Sequence, residues 1–398
     1  MLAPLTPIAA RALLSPSARL LLTAALGEHS AASVAALPWG HVHWPTLVSL
    51  ATHERAETHL SSLLQQAPPG VVPADVLQAM AGIARVARFR SIELAAAAGV
   101  AVDALAAVGI TAVWLKGAAL AMQRPEGFLI RGMGDLDLLL AESAQPAART
   151  ALRLAGWADS GPDERYEVHH HDAPMTWRGG LRLELHTGLF PPGHPFASCS
   201  VDDWLARAMT IRWEGRDVLV LQPAWHLTHA SVHWAWSHEG EVGTWQYVHD
   251  AYVLSESVRA TGAEWATVQH ASTQLGAEAP VGWALWFAKM MGSFDLPAIL
   301  MDGRSGTGGL LGGLQEREWI VRAWYSPAAS PSVKWSRFWW RRSMDGLGDH
   351  QRAWPWRLGR MAAPASAASD SQDGNIRQRQ LFVAVRRWRR HLARVLSG

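Results

Sequence analysis

Only one cysteine, Cys199, occurs in 398 residues. That excludes an internal disulfide framework and fits a reducing compartment. Nothing pairs Cys199 with a catalytic histidine in a recognisable pattern, so it reads as a small core or surface residue. Charged residues are sparse at 18%, against 49% apolar residues, a balance that excludes a disordered chain. No apolar run reaches the roughly 18 to 20 residues of a membrane span. The stretch MLAPLTPIAARALLSPSARLLLTAAL is broken by arginines, prolines and serines. It is therefore not read as a signal peptide, and the expected location is the cytoplasm. Two motifs are also missing. The glycine-rich DGRSGTGGLLGGL (302–314) lacks the GK[ST] ending of a phosphate-binding loop, so it reads as a flexible connection, and no HExxH zinc pattern occurs.

What charge there is lies unevenly. Residues 335–398 hold thirteen arginines against four aspartates, a local net of +9 in a chain whose total is +2. Tryptophan is abundant, at 22 residues against 4 tyrosines. The segments WSRFWWRRSMDGLGDHQRAWPWRLGR and RRWRRHLARVL mix the two residue types. Such mixtures suit nucleic acid, through phosphate contacts and base stacking, and they suit anionic membrane surfaces or acidic peptides. The competing reading packs the indoles inside a helical domain and leaves the arginines solvated.

Residues 8–110 read as helical, with leucines at three- and four-residue spacing in an alanine-rich background and a helix start at Pro73-Ala74-Asp75. The texture then changes. TAVWLK (111–116) reads as a strand, and Gly117 opens a helix of small residues. DLDLLL is a second strand, followed by a helix from about Ser143 to Ala155. YEVHHH and LRLELH are further strand candidates. From Gln222 to about Met291 the chain is helical again and rich in Trp and His. The division is thus an N-terminal helical region (1–108), an α/β core (109–220), a His/Trp-rich helical region (221–300) and a basic C-terminal region (301–398).

RGMGDLDLLL (131–140) places two aspartates in an otherwise buried strand. Aspartate is poorly suited to a strand interior. Residues two apart share a strand face, so Asp135 and Asp137 point the same way. Two close carboxylates repel unless a cation lies between them, and oxygen pairs are what Mg²⁺ prefers. LRLELH alternates likewise, setting Arg182, Glu184 and His186 opposite Leu181, Leu183 and Leu185. Glu184 can complete a three-carboxylate cluster, the set that holds two metal ions for attack on a nucleotide phosphate. Lys116 and Arg131 flank these elements and are expected to neutralise phosphate oxygens. Gly117 would let phosphate approach free N–H groups of the helix it opens.

The order WLKGAAL, RGMGDLDLLL, LELH resembles the nucleotidyltransferase superfamily with the DNA polymerase β type fold. More closely it resembles bacterial proteins of an uncharacterised nucleotidyltransferase family, which read L-K-G, then R-x-x-x-D-[IL]-D-[LI], then E-[LIV]-H. The likeness covers about residues 100–190 and extends weakly past 222. It implies a mixed α+β fold, with a polymerase β-like core between helical regions. It also implies Asp135, Asp137 and Glu184 as ligands of two Mg²⁺ ions, with Mn²⁺ as the alternative. Lys116, Gly117, Ala118 and Arg131 would bind the NTP, ATP foremost. Members of the wider superfamily usually carry Gly-Ser or Gly-Gly at this helix start, whereas this chain has Lys116-Gly117-Ala118. The absent serine removes a hydroxyl contact to phosphate. Glu184 or His186 would take the proton from an acceptor hydroxyl, the rival reading of His186 being a strand-end histidine bonded to a neighbour. The acceptor is unknown: a peptide or protein, a small metabolite, or an RNA end. A binding protein that keeps the fold without turnover is the alternative.

His226, His229 and His233 share one helical face, with His238, His249 and Asp250 nearby. A structural or substrate-lining role is preferred over zinc, and His233 and Asp250 are expected to face the active site. His169, His170 and His171 read as exposed histidines of a strand.

Overall fold

The computed structural model describes residues 5–320 apart from 28–29, 162–170, 191–195, 197–198, 239, 241–242, 261–264, 293–295, 298–299, 301–315 and 318. The glycine-rich loop, most of YEVHHH with His169 and His170, and the Arg/Trp-rich region therefore lie outside the described residues.

Helices come first: α1 (Pro7–Ala12), α2 (Pro16–Leu26), α3 (Ala31–Ala35), α4 (Trp44–His53), α5 (Glu57–Gln65) and α6 (Ala74–Ala107). Thr6, Ser15 and Ser30 cap the first three by accepting hydrogen bonds from backbone N–H groups of the opening turn. The long α6 begins after Pro73, as the Pro-Ala-Asp signal predicts, and its alanine-rich interior carries it for 34 residues. No described helix is long and apolar enough to cross a membrane.

The α+β segment runs β1 (Val113–Trp114), α7 (Lys116–Met122), α8 (Gly127–Ile130), β2 (Asp135–Leu139), α9 (Gln145–Leu154), β3 (Ala158–Asp159), β4 (Met175–Trp177) and β5 (Leu181–His186). The strand expected over TAVWLK is only two residues long, because the backbone turns at Lys116, where φ is 49°. Next come α10 (Val201–Leu205), β6 (Ala208–Trp213) and β7 (Arg216–Leu221), then α11 (Pro223–Val232), α12 (Thr244–Ala260), α13 (Trp265–Leu275) and α14 (Glu278–Met291). The hairpin β6–β7 is absent from the sequence reading. Its two-residue turn has positive φ at both Glu214 and Gly215, the twist that favours a tight hairpin.

Among the described residues the strands form one mixed sheet in the order β3-β4-β5-β2-β1-β7-β6. β2 pairs with β5 and β1 with β7 in parallel; the remaining pairings are antiparallel. One face of the sheet packs against α6, α7 and α9 through Leu136, Leu138, Leu183 and Leu185. A second core joins buried residues of the first five helices to those of α11, α12 and α14. The two helical regions, far apart in sequence, thus share apolar contacts. Leu139 lies on the same face as the two aspartates yet belongs to this helical core, so the polar face ends where the helices close over it.

Candidate active site

The register of β2 and β5 builds the site. Parallel pairing sets Asp137 opposite Glu184 and Leu139 opposite His186. The intervening leucines are buried on the far face. Alternation therefore forces Asp135, Asp137, Glu184 and His186 onto one face. His186 Nε2 lies 2.9 Å from Asp137 Oδ1 and 3.6 Å from Glu184 Oε2. Ligand atoms of Asp137, Glu184 and His186 all fall within 4.8 Å of one another, the one such His/Cys/Asp/Glu group among the described residues. The tightest trio thus contains His186, with Asp135 beside it. His226, His229 and His233 do not form a group of this kind.

The electrostatics divide the carboxylates. Burial, reinforced by the charge of Asp137, holds the Asp135 carboxyl above its ordinary value. Burial would also raise Asp137, but Lys116 and His186 overcome it and hold that carboxyl well below the carboxylate range. Burial would raise Glu184 as well, but the neighbouring His186 and the charge of Lys116 hold it below its ordinary value. Asp135 consequently lacks full compensation beside two ionised neighbours. That unmet charge, together with the convergent oxygens, fits a divalent cation. Carboxylate oxygens of this kind suit Mg²⁺ and Mn²⁺ alike.

These residues floor a cavity of about 480 Å³ that also takes in Lys116, Gly117, Arg131, His233 and Asp250. Lys116 donates from Nζ to Asp137 Oδ1 at 2.8 Å. Burial would lower this ammonium, but the three carboxylates prevail and hold it above its usual value. Arg131 forms a bidentate pair with Asp250, with bonds of 2.7 and 2.8 Å, and both side chains are buried. Two residues expected in separate roles, one for nucleotide and one for acceptor, therefore hold each other and tie the sheet to α12. A Cβ built on Gly117 would overlap the Arg131 guanidinium. Glycine is required there to seat an arginine, whatever else approaches the helix. The Ala118 side chain is 2% exposed and packs in the sheet core, outside the cavity lining. The chain's departure from Gly-Ser thus falls at a position turned away from the site.

The opposite wall is helical. A π-helical turn, His233–Ser237, continues α11, and His233 Nε2 meets His238 Nε2 at 2.9 Å. Trp234 stacks on Tyr247 at 4.4 Å between ring centroids. His229 also lines the cavity, and burial keeps it well below its ordinary pKa, hence neutral. His226 is buried outside the lining, with its pKa pushed down to about 4. His171 joins the site as well: it bridges to His186, and its Nε2 lies 3.7 Å from Glu184 Oε2.

Sequence reasoning missed Arg55, which enters the cavity from the end of α4, and its neighbour Glu54. Buried Glu54 accepts a 2.9 Å hydrogen bond from the Trp245 N–H at the start of α12. No chemistry-bearing pattern marks either one. Their sequence signal is a helix end without glycine, HERAE, which is legible only once the backbone conformation at Arg55 is known.

Neither a curated protein nor a solved structure matches the chain. A family model described as an uncharacterised nucleotidyltransferase matches residues 40–292, and the chain belongs to that family.

Proposed function

From that membership we propose that the protein is a metal-dependent nucleotidyltransferase. It would move a nucleoside monophosphate from an NTP, ATP being the first to test, to a hydroxyl or phosphate acceptor. The observation that carries the proposal is the β2–β5 register, which supports a floor of three carboxylates facing a cavity rimmed by cations. Asp135, Asp137 and Glu184 would hold the divalent ions, Mg²⁺ or Mn²⁺, with His186 adjoining. When bound, such ions neutralise phosphate charge and lower the pKa of an acceptor hydroxyl. The acceptor oxygen would bond to the α-phosphorus while the bond to the β-phosphate oxygen breaks, releasing pyrophosphate. The acceptor proton would pass to Glu184 or to the adjoining His186. The helical wall of His229, His233, Trp234 and Tyr247 combines aromatic faces with polar ring and hydroxyl groups. That supports an acceptor with apolar and polar groups side by side, such as a peptide or protein side chain or a small metabolite.

A second reading, binding without turnover, is favoured by one observation. Lys116 already sets a positive charge on Asp137 Oδ1, which also receives His186. Incubation with Mg²⁺ or Mn²⁺ and α-labelled NTPs separates the two readings. Transfer of label with stoichiometric pyrophosphate, abolished by chelator, is the expected result. NTP binding without pyrophosphate release in either metal would establish the second reading instead.

A further inference from the structure

Three cationic side chains line the cavity: Lys116, Arg131 and Arg55. Lys116 is engaged with Asp137, and Arg131 with Asp250. The Arg55 guanidinium has no hydrogen bond or ion pair among the described residues. It is half-buried, and the largest charge compensating it is that of Asp135.

The backbone shows how Arg55 is held. At the end of α4, Ala56 N–H donates to Ala51 O and Arg55 N–H to Thr52 O. That pair of bonds closes a helix through a left-handed residue, a position that favours glycine. α6, α9 and α13 end with the same two bonds, and their left-handed residues are Gly109, Gly156 and Gly276. At α4 alone among these four the position is filled by arginine, with φ of 53°. A non-glycine residue in this conformation costs about 1 kcal/mol or more.

Two glycines then make room for it. A Cβ on Gly132 would overlap the Arg55 carbonyl oxygen, and one on Gly134 would overlap the guanidinium. The glycines of RGMG thus admit an arginine from the N-terminal helices to the edge of Asp135. We propose that Arg55 is the side chain that grips the terminal phosphates of the nucleotide. This rests on the nucleotidyltransferase reading above. A guanidinium matches phosphate oxygens in a bidentate fork, and an uncommitted one beside the carboxylate floor meets a triphosphate without breaking an existing pair. The assignment makes the N-terminal helical region part of the substrate site.

The conformation supplies an unusual test, because Arg55→Gly removes the guanidinium while relieving the backbone. Full-length wild type, Arg55→Gly, Arg55→Lys and Arg55→Gln are titrated calorimetrically with ATP and AMP in Mg²⁺, and their melting temperatures are compared. Arg55→Gly is expected to melt no lower than wild type, to lose about ten- to a hundredfold in ATP affinity, and to bind AMP unchanged. Lysine should retain more ATP affinity than glutamine on the same strained backbone, which keeps the test valid should the glycine variant melt early. ATP binding equal to wild type in the glycine and glutamine variants would overturn the role of Arg55 and leave the nucleotidyltransferase reading standing. Equal losses for ATP and AMP would overturn the phosphate assignment. Failure of wild type to bind any NTP would overturn the reading and this inference together.

Discussion

Two cation–carboxylate pairs lie in one cavity and are built for different work. Lys116 reaches Asp137 with a single 2.8 Å contact, its side chain is one quarter exposed, and the same Oδ1 also meets His186. Arg131 grips Asp250 through two nitrogens, and both side chains are buried. A flexible ammonium on a shared oxygen can exchange for another cation at modest cost. A forked, buried pair cannot, because loss of either partner strands a charge. The first pair is therefore exchangeable in form, and the second joins the sheet to α12. Glu54 makes a third case at the same junction: a buried carboxylate that accepts a backbone N–H.

The sharpest way to break this contrast is at the junction. Asp250→Ala should destabilise the protein by roughly 3–5 kcal/mol in urea denaturation. Arg131→Met with Asp250→Leu should recover most of that loss, since an apolar pair strands no charge. A cost below about 1 kcal/mol for the single variant would show that Arg131–Asp250 is as exchangeable as Lys116–Asp137.

Glu54 probes the same joint through pH. Burial pushes its carboxyl up to about 7 from 4.5, so the folded state prefers the proton. That preference contributes fully below pH 4.5, weakens as pH rises toward 7 and is gone above it. Glu54→Gln keeps an acceptor for Trp245 N–H and cannot ionise. Relative to wild type it should gain up to about 3 kcal/mol at pH 8 and little at pH 4.5. Parallel stability curves for the two proteins across that range would contradict the burial argument.

The smallest expected effect concerns Gly117. Gly117→Ala should cost about 1–3 kcal/mol because its Cβ meets a pinned guanidinium. In an Arg131→Met background most of that cost should vanish, as a double-mutant cycle can measure. An unchanged cost there would place the crowding elsewhere.

Much of this was legible in residue order. LRLELH forms a strand over all six residues, and DLDLL over five, because alternation with leucine leaves one buried face for each. Asp135, Asp137, Glu184 and His186 consequently come together as the pattern implies. The hairpin β6–β7 was missed although Glu214-Gly215 flanked by alternating residues carries a turn signal; its charged positions masked the period. Arg131 and Asp250 were placed in separate roles because sequence separation says nothing of which charge finds which. Ala118 follows Gly117 at the helix start, and helical geometry turns its side chain into the core. Arg55 was illegible because its role depends on a left-handed backbone that arginine rarely adopts.

If the carboxylate face of β2 and β5 performs nucleotidyl transfer, loss of one carboxylate charge must stop the reaction. The most direct test is the rate of pyrophosphate release from an NTP in Mg²⁺ by wild type and by Asp137→Asn, with folding checked by circular dichroism. The variant should release pyrophosphate at least about a thousandfold more slowly, with NTP binding retained. Equal rates in two folded proteins would contradict that role for the carboxylate face.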